Sequence, residues 1–258
     1  MQDPSFLPFG DAALIVEFGR EKDRALSARV LALDAAISEA RAAGAMPGVI
    51  ETAPTFRSLT VQFDPLATDG KAVEEAIRPL IGGAGASAPA ARLWRFPACY
   101  EGVYAPDLSA IAEHAGLTPS DVVALHIGVE HHVYMIGFLP GCPYMGDLPA
   151  GIDFPRRADP RTTVPAGSVA IAVGLTVIYP VTSPGGWHLI GRTPVTLFDV
   201  ATDPPALLSP GDAVVFDPVS ADAYARIERA AAAGDWAPES TSRAVTRTGA
   251  VSGDGGGA

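Results

Sequence analysis

From His131 to about Pro218 the chain is cut by glycine and proline into short runs: VYMIGF, SVAIAV, TVIYP, WHLIG, VTLFDV and AVVFDP. That punctuation leaves no room for a long helix, since proline removes a backbone donor and glycine adds to the entropic cost of order. Short apolar runs at such spacing point to a β-barrel or sandwich. The first hundred residues read differently. Ala12 to Phe18 has the pattern of a buried strand, entered through Gly10-Asp11. From about Glu21 to Ala43, Leu26, Val30, Leu33 and Ile37 form one apolar stripe of helical period, and Gly44 stands where a left-handed cap would end it. Val49–Thr52 and Ser58–Phe63 read as short strands, and a second helix is expected from about Asp69 to Ile81, before Gly82-Gly83. After a flexible connector, GAGASAPAA, comes one more strand, Arg92 to Phe96. The order β-α-β-β-α-β is the split βαβ, or ferredoxin-like, arrangement.

The expected fold class is therefore α+β, with a first unit over 1–90 and a β-rich second unit over 91–235. Asp107 and Thr118 each precede a short helical stretch. Thr118-Pro119-Ser120-Asp121 supplies an N-cap, a proline at the first helical position and an acid at the third. A helical stretch around 221–233 closes the second unit, and 236–258 is too poor in apolar residues to be expected to pack.

Charge narrows the partners. The 18 basic and 29 acidic residues leave a net charge of -11, which repels phosphate backbones and anionic lipid. Neither nucleic acid nor a membrane surface is expected as a partner. No run of about 18 apolar residues is present and the N-terminus lacks a signal pattern. Two cysteines, Cys99 and Cys142, suit a reducing compartment, so a soluble cytoplasmic protein is expected. The two lysines, Lys22 and Lys71, lie in no phosphate-binding loop, which excludes a P-loop and argues against Schiff-base chemistry.

Polar groups that a core would not need gather between 126 and 192. Arg156, Arg157 and Arg161 lie close together and Arg192 follows a glycine. Guanidinium forks suit a carboxylate or an acyl phosphate, against the plain alternative of surface ion pairs with the many acids. Gly185 and Gly186 allow close backbone approach, and Tyr179 and Trp187 could wall a small ring, although aromatic residues on strands more often serve a core. His126, at a helix end, is the candidate for proton transfer, with a simple cap as the alternative. His131 and His132 point to opposite faces of a strand and have no HExxH, Cys-x-x-Cys or carboxylate cluster beside them, so no metal site is expected. Cys142 has no demonstrable histidine partner and is a weak nucleophile candidate.

FGDAALIVEF near the start, VYMIGFLPG at 133–141, PRRADPRTTVPAGSVAIA at 155–172, SPGGWHLIGRTP at 183–194 and GDAVVF at 211–216 resemble the KipI / allophanate hydrolase subunit 1 family. The resemblance, which includes 5-oxoprolinase B subunits, runs from about Phe9 to Pro218. It implies a ferredoxin-like domain followed by a cyclophilin-like β-barrel. It further implies one component of an ATP-dependent complex that opens 5-oxo-L-proline to L-glutamate. Its partners would be a C-like and an A-type 5-oxoprolinase subunit, with magnesium-ATP shared among them. ATP would phosphorylate the lactam oxygen, and such a component is expected to be inactive alone. On this resemblance Arg161, Arg192 and His126 are the expected catalytic residues. Arg156, Arg157, Tyr179, Gly185, Gly186 and Trp187 are expected to bind substrate.

The family also implies two other roles, an inhibitor of a sensor histidine kinase and half of a urea carboxylase or allophanate-type carboxyltransferase unit. The latter is disfavoured, since no biotin-bearing lysine between methionines is present. The barrel's likeness to cyclophilin does not transfer isomerase activity. The chain departs from the family pattern at Cys142, where an aromatic is usual, at His131, where tyrosine is common, and at Leu175 and Val177, where a glutamine and a glycine are usual.

Overall fold

The computed structural model describes residues 3–82 and 91–243. Four antiparallel strands, β1 (Ser5–Pro8), β2 (Ala13–Glu17), β3 (Val49–Pro54) and β4 (Ser58–Phe63), form the first sheet in the order β1-β2-β4-β3. Helices α1 (Arg24–Ala42) and α2 (Gly70–Ile77) cover one face. Each starts at an aspartate, Asp23 or Asp69, whose carboxylate accepts from first-turn amides. Alternation along the strands sends Leu14, Val16, Leu59 and Val61 toward Val30, Leu33 and Ile37 of α1 and Val73 and Ile77 of α2.

One expectation fails here. The strand at 92–96 was to complete this sheet, but β5 (Arg92–Ala98) pairs parallel to β13 (Ala213–Pro218) in the second sheet. The edge of the first sheet is filled instead by Ser5–Pro8, paired with β2. An edge strand can end in proline because no neighbour needs its missing donor.

The second sheet has eight strands, ordered β12-β9-β10-β7-β6-β13-β5-β14. Its remaining members are β6 (His131–Ile136), β7 (Pro143–Gly146), β9 (Ser168–Ala172), β10 (Leu175–Ile178), β12 (His188–Arg192) and β14 (Glu239–Ser242). Cys99, just beyond β5, and Arg192, at the end of β12, exchange both backbone hydrogen bonds at 2.8 and 2.9 Å. That joint curls the sheet round on itself. A two-stranded ribbon, β8 (Arg161–Val164) with β11 (Ser183–Gly185), lies beside it.

All five residues of β9 are buried, because both faces of the sheet are covered. Val169, Ile171, Ile178, Ile190 and Met145 join a core closed by α3 (Leu108–Ala115) and α4 (Pro119–Ile127). Their sequence neighbours Ala170, Ala172, Val177, Tyr179 and Leu189 face the other way and join a smaller cluster with Cys142 and Trp187. Helix α5 (Ala221–Ala232) closes the second unit.

Two further expectations are corrected. VTLFDV forms no strand; it makes a single bridge, Phe198 to Ala206, while Val195 and Leu197 drop into the core. Glu239–Ser242, read as unpacked, pairs antiparallel with β5. The connector 83–90 and the tail from 244 lie outside the described residues.

Candidate functional site

Over the smaller cluster opens a cavity of about 320 Å³. Its floor is Val177 and Tyr179, at and just past the end of β10, with Tyr144 of β7 beside them. Its rim comes from three Gly/Pro loops, which contribute Phe138 and Cys142, then Arg156, Arg157 and Pro160, then Pro184, Gly185, Gly186 and Trp187. Proline stiffness and local cross-links fix these loops. Arg157 donates its main-chain N–H to Gly186 O at 2.8 Å, and a ring nitrogen of His188 is 2.9 Å from Pro155 O. Gly185 has a steric reason: a Cβ there would lie 2.2 Å from the Tyr179 hydroxyl. Phe138 is 64% exposed at the mouth with a left-handed φ of 69°, a conformation uncommon for a bulky residue.

Two arginines and no acid line this cavity, in a protein with net charge -11. The Arg156 guanidinium lies over the Trp187 ring, 5.5 Å from its centroid. Burial pushes the Tyr179 hydroxyl up to about 12 and raises that of Tyr144, while the Arg156 charge opposes both shifts. Both phenols therefore remain protonated donors at neutral pH. The cavity offers cationic forks, hydroxyl donors and aromatic walls, which suits a small ring bearing an anionic group.

Behind the arginines stands Asp107, 6% exposed. Its Oδ1 accepts from Arg161 Nη2 at 2.6 Å and, more distantly, from Arg157 Nη1 at 3.4 Å. Its Oδ2 accepts from the Leu189 amide at 2.7 Å. Asp107 precedes α3, as the sequence suggests, but its side chain makes no bond to that helix.

The six expected substrate-binding residues, Arg156, Arg157, Tyr179, Gly185, Gly186 and Trp187, all line the cavity. The three expected catalytic residues do not. His126 is fully buried, with Nδ1 2.9 Å from the Tyr100 hydroxyl and Nε2 3.2 Å from Thr176 Oγ1. Burial, with the charge of His131, holds its pKa well below the ordinary range, which favours the neutral ring at neutral pH. Arg161 binds Asp107 through Nη2, while its Nη1 is buried without a hydrogen-bond partner. Arg192 lies five residues beyond Trp187 along the same chain, about 16 Å in strand geometry, with its guanidinium over Tyr104. Cys142 lines the cavity, but burial pushes its thiol up to about 12, which keeps it un-ionised and a poor nucleophile.

The sequence reading missed Asp107, Phe138, Tyr144 and Pro160. Tyr144 was detectable, lying two residues after Cys142 in the run PGCPY, although it belongs to β7 rather than to the loop. Two of the departures from the family pattern, Cys142 and Val177, line the cavity, whereas Leu175 and His131 are buried outside its lining. Among the described residues no group of three or more His, Cys, Asp or Glu side chains could hold a metal ion, and no helix is long and apolar enough to cross a membrane.

The sequence profile of the carboxyltransferase domain, subdomain C and D, matches residues 4–208. The 5-oxoprolinase B subunit of Bacillus subtilis (strain 168) is 37% identical over 229 residues, 83% of this chain and 92% of that protein. The protein of the same name from Escherichia coli O157:H7 is 45% identical over 176 residues, 67% of this chain and 79% of its own length. The crystal structure of TTHA0988 superposes with a TM-score of 0.70 at 32% identity, over 81% of this chain; this chain spans 40% of that protein. The K. lactis urea amidolyase shares the fold, with a TM-score of 0.74 at 20% identity over 93% of this chain and 16% of that one. The profile match and these relatives agree with the sequence motifs, and the chain belongs to the family of carboxyltransferase domains of the subdomain C and D type.

Proposed function

We propose that this chain acts as the B subunit of an ATP-dependent 5-oxoprolinase, an amidohydrolase complex that opens 5-oxo-L-proline to L-glutamate. The cavity carries the reading: two guanidinium groups, no carboxylate and aromatic walls, in a chain whose relatives bear that component's name. 5-Oxoproline is a five-membered lactam with one carboxylate. Its acid suits a guanidinium fork, its ring suits Trp187 and the tyrosines, and its lactam carbonyl can accept from a phenol. The residues here bind and orient the ring.

Magnesium-ATP does not fit this cavity, since no carboxylate in its lining could hold the metal. The nucleotide is accordingly assigned to a site built with partners of the C and A types, and the chain is expected to be inactive alone. The same reading takes the first unit as ferredoxin-like and the second as a cyclophilin-like barrel, supported by the order β1-β2-β4-β3 and the Cys99–Arg192 joint. The likeness to urea amidolyase, at 20% identity, is one of fold and assigns no substrate.

The test is co-expression with A-type and C-type 5-oxoprolinase partners, followed by size-exclusion chromatography and assays of glutamate release and ATP hydrolysis. The expected result is co-elution and ATP hydrolysis that depends on 5-oxoproline, with neither activity in the isolated chain. Separate elution at micromolar concentration, or robust ATP hydrolysis by the single chain, would overturn the reading.

A further inference from the structure

The two arginines of the cavity are not equivalent. Arg157 is committed on three sides: its Nη1 reaches toward Asp107, its Nε donates weakly to Asp159 O at 3.4 Å, and its main-chain N–H is bound to Gly186 O. Arg156 has no carboxylate partner among the described residues. Its guanidinium rests over the face of Trp187, which can steady the plane while leaving the N–H edges available. It also stands near enough to Tyr144 and Tyr179 for its charge to influence both phenols. The cavity thus holds one fork already engaged by a buried acid and one that is not.

We propose that Arg156 is the specificity-determining residue of this cavity, taking the carboxylate of a small ring acid and so separating a carboxylated lactam from the same lactam without its acid. Arg157, held by Asp107, adds positive potential but does not supply the fork. The lactam half of this assignment rests on the 5-oxoprolinase reading; the carboxylate half does not.

The experiment uses the full chain, alone and co-purified with its partners, and measures binding by calorimetry to three ligands. These are 5-oxoproline, 2-pyrrolidinone (the same ring without the acid) and cyclopentanecarboxylate (an acid on a ring without the lactam). The wild-type protein should bind 5-oxoproline more tightly than 2-pyrrolidinone by roughly ten- to a hundredfold, the range expected when a charge-assisted hydrogen bond is lost. Arg156→Ala and Arg156→Gln should remove that preference, weakening 5-oxoproline far more than 2-pyrrolidinone, and Arg156→Lys should restore only part of it. Arg157→Ala should keep the preference. Melting curves distinguish loss of the fork from loss of the fold, and the glutamine and lysine variants serve if alanine unfolds the loop. Retention of the full preference by the folded Arg156 variants, or its loss on Arg157→Ala alone, overturns the proposal, as does failure of every ring acid to bind the assembled complex. Arg156-dependent binding of cyclopentanecarboxylate without binding of 5-oxoproline would keep the carboxylate assignment and sink the 5-oxoprolinase reading.

Discussion

Asp107 faces two guanidinium groups and a main-chain amide, and its contacts reach two distant parts of the chain: Arg157 and Arg161 in one segment and Leu189 in β12. Arg161 already has one buried nitrogen, Nη1, without a hydrogen-bond partner, so removing the acid leaves a half-buried cation largely uncompensated. Breaking one side of a buried pair costs about 3–5 kcal/mol, and the partial exposure of both arginines argues for the lower end. Asp107→Ala is therefore expected to lower unfolding stability by about 3 kcal/mol, read as a lower urea midpoint at unchanged slope. Asp107→Asn should fall between, because it still offers the Leu189 amide an acceptor. Identical midpoints for all three proteins would show that the pair is worth nothing. An aspartate before a helix reads from sequence as a cap, and nothing local says that its carboxylate turns inward to an amide on a distant strand. His126 carries the same lesson with opposite sign. Its neighbours in sequence place it near the polar loops, yet Tyr100 and Thr176, which engage it, come from other elements.

Elements whose partners are close in sequence were legible. At the start of α4, Thr118 Oγ1 accepts from the Asp121 amide and the Asp121 carboxylate accepts from the Thr118 amide, a reciprocal box preceding and entering a helix that opens on Pro119. Every participant lies within four positions, so the sequence pattern sufficed. Thr118→Ala should cost about 1 kcal/mol, measured by thermal or urea unfolding, and Thr118→Ser should recover most of it; an unchanged alanine variant would count against the box. Strand β5 failed the same kind of reading. Its residues have the right pattern for a strand, but its parallel partner is β13 and its other neighbour β14. Both follow it by more than a hundred positions in the chain, so local periodicity could identify the strand but not its sheet. The cavity lies between these cases. Its loops were visible as Gly/Pro-rich segments, whereas their convergence depends on the antiparallel pairing of β10 with β7 and β9 and of β12 with β9.

The whole molecule ties its two units together with contacts of unequal weight. Arg24 Nε lies 2.6 Å from Asp147 Oδ2 and Lys22 Nζ donates to Gly174 O at 3.0 Å, but these groups are exposed and such bridges contribute little. The Phe56 ring, 5.3 Å from that of Tyr134, adds an apolar contact across the same junction. A more consequential feature is the histidine group of the second unit. Burial, the largest cause in each case, holds His131 and His132 at about 4 and His126 well below its ordinary value. A folded value below the unfolded one means that the unfolded chain binds more protons in between. The associated stability is therefore present above about pH 6.5 and drains away as pH falls toward 4. At pH 5 the loss is about 2 kcal/mol for each of His131 and His132, by the same linkage. Asp147 does not enter this window: burial works against it, but bonds from Tyr134 and Arg24 hold its carboxyl below the usual range, so its contribution is lost only at lower pH. Urea midpoints at constant ionic strength should accordingly fall steeply between pH 7 and pH 5. His132→Phe, which can keep the edge-on contact with Tyr134 while removing one titrating ring, should make the slope shallower. A midpoint that stays flat over this range, or a slope that the His132→Phe variant leaves untouched, would mean that these rings are hydrated and protonate in place.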